Sequence, residues 1–148
     1  GLVARRFAKQ SMLLCAAPGY LQRVGRPRRF DDLARHPFIV YRQHSSGRDR
    51  PLQFVVKGKA MTLHPEHTVR INDGEAMAHA AALGLGLTQL PDYMVEDELA
   101  SGALVEVLPS LRPPDIPIHL VMPTQRLMPP RVRALLDELA LAFDAKSG

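Results

Sequence analysis

The sequence has one cysteine, Cys15, no tryptophan and no long apolar run. A single cysteine excludes an internal disulfide framework and fits a reducing setting such as the cytoplasm. No apolar stretch approaches the roughly 20 residues that a helix needs to cross a bilayer. The first residues, GLVARRFAKQ, have no apolar segment after their positive charges, so we expect no signal peptide there. These absences argue against a membrane protein and against a disulfide-stapled secreted domain.

The charge of the chain is unevenly distributed. Residues 1–50 hold 11 Lys/Arg and 3 Asp/Glu, a net charge of +8, whereas residues 51–148 hold 8 and 12, a net charge of −4. Such a basic half can indicate nucleic-acid binding. Its charges are scattered among prolines and turns, however, without the aromatic interleaving that is typical of single-strand binders. We interpret the basic half as mainly solvated surface, with phosphate contact as the alternative.

Short apolar strands alternate with short helices along the chain, which predicts an α/β fold. The 148 residues, with 46% hydrophobic content, suffice for one core or for two small lobes. The predicted strands are 11–17, 38–42, 52–64 (a hairpin), 68–72, 85–90, 103–108 and 118–122. The predicted helices are 18–24, 30–36, 73–83, 92–102 and a last helix that begins at the prolines 129 and 130.

The last helix has the clearest periodicity. Its apolar residues fall at i, i+3, i+4, i+7 and i+11, which places Val132, Leu135, Leu136, Leu139 and Phe143 on one face. That face needs an apolar surface to cover. We expect a parallel sheet containing 11–17 and 118–122 to provide it.

Two groups of residues could bind a metal. His64, Glu66 and His67 form an H-P-E-H segment, and Glu75 and His79 are four residues apart. Zinc sites use such residues at helical spacings. Because HPEH contains a proline and lies in a predicted loop, we favour a polar surface turn and expect no metal or other cofactor.

The sequence offers no clear catalytic set. Cys15 lies inside an apolar run, where a thiol behaves as a small hydrophobe. Ser45 and Ser46 do not form a G-x-S-x-G elbow. The acidic pair 31–32 is interpreted as a helix cap, and the acidic run 96–98 as a solvated face. We therefore expect the chain not to be an enzyme.

The stretch INDGEAMAHAAALGLGLTQLP (71–91) has two glycine-bearing ends. Its GLGL lacks the lysine of a phosphate loop and follows a helix, so it is best interpreted as a helix stop. At the other end, Asn72 as N-cap with Glu75 three residues on fits a capping box. The alternative is that this helix start faces a ligand. Asp73 and Glu75 would then repel an anion close by.

The order of these segments resembles the effector-binding domain of LysR-type transcriptional regulators. The matching segments are GLVARRFA (1–8), MLLCAAPGYLQRVGRPRRFDDLARHPFIVYR (12–42), VRINDGEAMAHAAALGLGLTQLPDYMVEDELASGALVEVLP (69–109), PIHLVMP (117–123) and PPRVRALLDELA (129–140). They follow in the family's order and cover nearly the whole chain.

The resemblance implies a fold like that of periplasmic binding proteins, with two α/β lobes and a small-molecule cleft between them. It implies that 1–17 is the end of the first lobe with the first crossover strand, and that 18–109 is the second, effector-binding lobe. Residues 110–148 would form the second crossover and return to the first lobe with the C-terminal helix. The family's N-terminal helix-turn-helix and the first part of the first lobe are not in this sequence.

The function implied is the sensing of a small-molecule effector by a regulator that binds DNA through its helix-turn-helix domain. The implied partners are an effector, for which a carboxylate or aromatic acid is a candidate, and further copies of the chain in a homodimer or tetramer; no membrane is implied. An exposed apolar face on the incomplete first lobe would favour such association. The alternative is a solute-binding protein of a transport system, which shares the fold.

The resemblance also implies cleft positions. The implied effector-binding residues are Ala16, Ala17, Pro18, Tyr41, Arg42, Asn72, Asp73, Gly74, Gln89 and Pro91. Alanine at 16 and 17 implies a less polar pocket there. For a carboxylate effector, Arg42 is the expected charged partner, because a guanidinium pairs bidentately with a carboxylate.

Overall fold

A computed structural model describes residues 2–123 and 129–147. By its internal contacts the chain forms two units. One contains residues 11–114 and is called here the central unit. The other contains residues 1–10 and 115–148 and is called the terminal unit.

The central unit is built on a mixed five-stranded sheet. Its strands are β2 (Met12–Ala16), β3 (Phe38–Tyr41), β6 (Thr68–Ile71), β7 (Leu87–Pro91) and β8 (Val105–Glu106), in the order β6-β3-β7-β2-β8. β3 runs parallel to β6 and β7, whereas β2 runs antiparallel to β7 and β8. A separate hairpin joins β4 (Leu52–Val56) to β5 (Lys59–Leu63) across Lys57 and Gly58, as predicted.

The sheet is buried on both faces, which explains its continuous apolar strands. Along β2, Leu13 and Cys15 belong to one apolar cluster and Leu14 and Ala16 to the other. The first cluster lies under α2 (Gly74–Ala82) and α3 (Glu96–Ser101). The second lies under α1 (Pro18–Val24), the 3-10 turn Phe30–Arg35 and the hairpin. The predicted strands 11–17, 38–42 and 68–72 are confirmed on this sheet.

The end of α2 explains the glycine pair of GLGL. Gly84 has a positive φ of 86° just after the helix, so the predicted helix stop is confirmed. Gly86 serves another purpose: a Cβ placed on it would lie 2.4 Å from the backbone oxygen of Pro37. Pro37 O also accepts a hydrogen bond from Leu87 N at 3.0 Å, which helps to hold β7 beside β3. Only glycine fits this contact.

Two predicted caps differ in detail from the structure. The N-cap of α2 is Asp73, and not Asn72, because β6 ends at Ile71 and Asp73 is the last residue with extended backbone. The second predicted cap was the acidic pair 31–32, but the N-cap of the 3-10 turn is Arg29. Asp32 caps the turn from its third position, where its carboxylate accepts the backbone N–H groups of Arg28 and Arg29 at 3.0 and 3.1 Å. These hydrogen bonds lower the pKa of Asp32.

The terminal unit contains β1 (Leu2–Gln10), β9 (Ile116–Pro123) and α4 (Pro130–Ser147). β1 pairs antiparallel with β9 over nearly its whole length. The predicted parallel sheet containing both 11–17 and 118–122 is therefore wrong, since β2 lies in the central unit and β9 pairs with β1. β1 itself was not predicted, because its charged residues interrupt the apolar pattern.

The apolar face of α4 is largely uncovered. Leu135 is 55% exposed, and Val132 and Leu139 are also exposed. The side chain of Phe143 lies outside the described residues. Among the described residues, no helix combines the length and the apolar character of a membrane span.

Candidate functional site

Strand direction divides the predicted site residues between two edges of the central sheet. The end of the sheet at which β3, β6 and β7 finish and β2 begins is called here the carboxyl edge. The opposite end of the sheet is called the amino edge. Arg42, Asn72 and Pro91 follow or close the three parallel strands, so they meet at the carboxyl edge. Neighbouring strands lie about 4.8 Å apart, which brings these positions into one region.

Ala16, Ala17 and Pro18 lie at the amino edge, because β2 runs against β7 and ends where β7 begins. Cys15 pairs with Thr88 there, and Met12 pairs with Pro91 at the carboxyl edge. The structure therefore does not bring Ala16, Ala17 and Pro18 together with the other predicted residues. It places the beginning of β2, not its end, beside them.

Arg42 begins a closed loop at the carboxyl edge. Its backbone N–H donates to Ile71 O at 3.0 Å, and its backbone forms an isolated antiparallel β-bridge with that of Asp49. Arg50 N donates to Tyr41 O at 2.7 Å, so the loop returns to the point where it left β3. The base of the loop is thus fixed to two strands, and Arg42 projects from a held backbone rather than from a free tip.

The charges around the loop leave Arg42 distinct from its neighbour Arg70. Arg70 Nε donates to both carboxylate oxygens of Asp49, each at 3.0 Å. Within the part of the chain that the structure describes, the guanidinium of Arg42 has no such partner, and its side chain is exposed. A cation of this kind is available to an anionic ligand, whereas Arg70 is already neutralised.

The start of α2 forms the second part of the carboxyl edge. The Asp73 carboxylate accepts the N–H of Ala76 at 3.0 Å, so its charge is directed to its own helix. This geometry identifies Asp73 as a structural cap. Asn72, one residue earlier, is exposed and is not used as the cap, which leaves its amide free to contact a ligand.

Gly74 is explained by a close neighbour. A Cβ placed on it would lie 2.6 Å from Met94 Sδ and 3.3 Å from Met94 Cε. Its backbone does not have the positive φ that favours glycine. The thioether of Met94 therefore occupies the space that a side chain on residue 74 would fill, and a larger residue there would displace it.

Met94 belongs to the 3-10 turn Asp92–Met94, directly after β7. Asp92 N donates to Ser11 O at 2.8 Å, and Asp92 Oδ1 accepts Tyr93 N at 2.9 Å. The next residue, Val95, is fully buried. This anchoring holds Tyr93 and Met94, which are 47% and 37% exposed, at the carboxyl edge.

Gln89 and Tyr41 are engaged in the fold rather than free at the edge. The Gln89 amide donates to Gln53 O at 2.8 Å and accepts from Gln53 N at 3.1 Å, which fastens the hairpin to the sheet. Tyr41 is partly buried and packs against the cluster under α2. Pro91 is buried at the end of β7.

Sequence reasoning missed Ser11, Asp92, Tyr93 and Met94. The segment 92–102 was predicted as one helix, whereas the structure has a 3-10 turn followed by α3. A usable signal was present: residues directly after a parallel strand lie at its carboxyl end, where ligands of open α/β sheets bind. Tyr93 and Met94 follow β7 in this position.

The ionisable groups buried in the central unit lie away from this edge. Cys15 is fully buried in the apolar core, as expected, and burial, together with the charge of Glu106, raises the pKa of its thiol to about 12. Tyr20 OH and His36 Nδ1 lie 2.6 Å apart in a buried pair. Burial raises the pKa of Tyr20 and lowers that of His36.

Among the described residues, no three His, Cys, Asp or Glu side chains are grouped so that they could hold a metal ion. His64 and Glu66 are exposed, and the backbone oxygen of His67 accepts Phe38 N at 2.9 Å. The carboxyl edge therefore offers the guanidinium of Arg42, the amide of Asn72 and the large side chains of Tyr93 and Met94. This combination suits binding of a small organic molecule rather than metal chemistry.

Comparisons with known proteins agree with the fold. A family model described as the LysR substrate binding domain matches residues 1–144. YhjC, an uncharacterised HTH-type transcriptional regulator of Escherichia coli K12, is 31% identical over 140 residues, which cover 95% of this chain and 47% of YhjC. PtxR, an HTH-type transcriptional regulator of Pseudomonas aeruginosa, is 30% identical over 139 residues, covering 94% of this chain and 44% of PtxR.

A solved structure shows the same fold. The regulatory domain of CrgA, a LysR-type transcriptional regulator from Neisseria meningitidis, is 24% identical with a TM-score of 0.76, and the match covers 97% of this chain and 69% of that one. The chain spans about half the length of the curated relatives it matches. These relatives are named as regulators, and none of them supports the transport-type alternative. The family has the periplasmic-binding-protein-like α/β fold expected from the sequence, and this chain belongs to the LysR substrate-binding domain family.

Proposed function

We propose that the chain is the effector-sensing part of a bacterial LysR-type transcriptional regulator and that its carboxyl edge binds the effector. One observation carries this proposal: Arg42, Asn72 and the turn at Tyr93–Met94 meet at the ends of the parallel strands in a chain of this family. In open α/β sheets, ligands bind outside the carboxyl ends of the strands.

The chemistry of the edge favours a small organic acid. Arg42 is an exposed cation there, with no carboxylate partner among the described residues, and it can pair with a carboxylate through two N–H groups. Asn72 offers an amide donor and acceptor beside it. Asp73 does not oppose an anion as strongly as its position suggests, because its carboxylate is turned to Ala76 N.

The proposed role is sensing without catalysis or a cofactor. An effector that binds one conformation better than another shifts the population toward it, and the size of the shift equals the difference in binding free energy. A helix-turn-helix domain of the whole regulator would report the shift as altered DNA binding in the cytoplasm. We propose that the regulator acts as a homodimer or tetramer.

A thermal-shift screen of the 148-residue chain against aliphatic and aromatic carboxylates tests the binding step. A ligand at 100 times its Kd adds about 2.7 kcal/mol of stability. Arg42→Ala is expected to weaken binding of the best acid by about tenfold or more, whereas Arg42→Lys weakens it less. Arg28→Ala is the matched control, because Arg28 is also exposed and lies outside the carboxyl edge.

The screen and the Arg42 variant test two different parts of the proposal. If no acid shifts the melting temperature, carboxylate sensing is wrong. If an acid binds but Arg42→Ala behaves as Arg28→Ala does, Arg42 is not its partner. For the whole protein, the complete open reading frame is expressed and its binding to the DNA upstream of its own gene is measured with and without the acid. An unchanged DNA affinity and footprint would contradict the regulatory role.

A further inference from the structure

The contact between Met94 and Gly74 points to a residue that sets effector specificity, an inference that rests on the proposed function. Met94 Sδ occupies the space that a side chain on residue 74 would need, at 2.6 Å from the Cβ position. The thioether therefore lies directly over the start of α2 at Gly74, which follows Asn72 and Asp73 in the chain. No other large apolar side chain of the described residues is placed within 4 Å of that Cβ position except Leu90, at 4.0 Å.

The position of Met94 is fixed by its backbone rather than by its side chain. Asp92 ties the turn to Ser11, and Val95 N donates to Asp92 O at 3.2 Å. Met94 remains 37% exposed at the carboxyl edge, although its thioether lies against Gly74. A flexible, polarisable thioether in such a place adapts to an apolar ligand group and offers no hydrogen-bond donor to a polar one.

We propose that Met94, seated on Gly74, is a specificity-determining residue that selects acids with an apolar body. Arg42 pairs with the carboxylate, and Met94 contacts the carbon skeleton. Gly74 acts as a positioning residue, because a larger residue there forces the thioether away from the helix start. Replacing Met94 therefore changes which acid is preferred, while the binding of the carboxylate itself remains.

The experiment measures the Kd of acetate, hexanoate and phenylacetate for the full chain by calorimetry. We define the apolar selectivity as the ratio of the acetate Kd to the phenylacetate Kd. Met94→Gln keeps the side-chain length and adds polarity, and we expect it to lower this selectivity about tenfold. Leu83→Gln is the matched control, since Leu83 is exposed at the amino edge after α2. It is expected to leave the selectivity unchanged.

A double-mutant cycle separates a specificity role from a general structural one. Gly74→Ala is expected to lower the selectivity several-fold when Met94 is present. In a Met94→Ala background, the same change is expected to alter it less than about twofold, because the atom that it displaces is gone. A merely structural effect of Gly74→Ala would persist in both backgrounds.

The failures of the two proposals are distinguishable. If Met94→Gln keeps the wild-type selectivity, or if Gly74→Ala acts equally with and without Met94, the role of Met94 is overturned and acid binding stands. If the wild-type chain binds none of the three acids, carboxylate sensing at this edge is overturned, and the specificity role falls with it.

Discussion

Replacing Gly86 by alanine tests the proposed reason for the second glycine of GLGL. Gly86 has a φ of +150°, and a Cβ there would lie 2.4 Å from Pro37 O and 2.9 Å from Pro37 C. Both atoms belong to the backbone, so the contact cannot be relieved by turning a side chain. Pro37 O must move, although it accepts the hydrogen bond from Leu87 N.

The expected loss has two parts. A non-glycine residue in this region of backbone space costs about 1–3 kcal/mol. Weakening the hydrogen bond that joins the start of β7 to the start of β3 adds about 0.5–1.5 kcal/mol. We therefore expect Gly86→Ala to lower the free energy of unfolding by about 2–4 kcal/mol, a large part of the 5–15 kcal/mol that is typical of a domain.

Gly25→Ala is the matched control. Gly25 also has a positive φ, of +100°, but nothing lies within 4 Å of its Cβ position. Its cost is backbone strain alone, about 1–3 kcal/mol. Urea unfolding followed by circular dichroism gives both free energies, with an unchanged m-value as evidence that the unfolding transition is the same. A loss for Gly86→Ala equal to or smaller than that for Gly25→Ala would refute the reasoning from the Pro37 contact.

Three further predictions concern Cys15, His36 and Gln89. Because burial raises the pKa of Cys15 to about 12, alkylation of the folded chain near pH 8 is expected to be slower than in denaturant by on the order of 10²–10³-fold; comparable rates would show that the thiol is accessible. Burial, with the charge of Arg35, lowers the pKa of folded His36, so the unfolded chain takes up a proton first and stability falls as the pH drops below about 6.5. His36→Asn should flatten that decline in urea unfolding at pH 7.5 and 5.5, and an equal slope would contradict it. Gln89→Leu loses both hydrogen bonds to the backbone of Gln53 and is expected to lower the free energy of unfolding by about 1–3 kcal/mol. Gln53→Leu keeps these bonds and is expected to cost less than about 1 kcal/mol; equal losses would contradict the role of the Gln89 side chain in fastening the hairpin to the sheet.

Local signals predicted most elements of the central unit. The run 11–17 was recognisable as a strand because both of its faces are buried, and α1 because Pro18 and Gly25 bracket it. β1 had no such signal, since its partner β9 lies more than 100 residues away and supplies the pairing that its charged sequence does not predict. Non-local pairing of this kind has no periodicity in sequence to reveal it.

The candidate site could not be fully predicted either, because its composition depends on the direction of each strand in the sheet. The resemblance indicated the strand end at Ala16 and the strand ends at Arg42 and Asn72, but a sequence does not say which of these ends point the same way. Because β2 runs antiparallel to β7, the end of β2 faces away from the ends of β3 and β6, and its beginning at Ser11 lies with them instead. The chemistry of the edge depends on that reversal. Ser11 O holds Asp92, Asp92 holds the turn, and the turn places Met94 over Gly74. Gly74 of NDG therefore lies under a residue 20 positions further along the chain, and the contact between the two supplies the test of specificity.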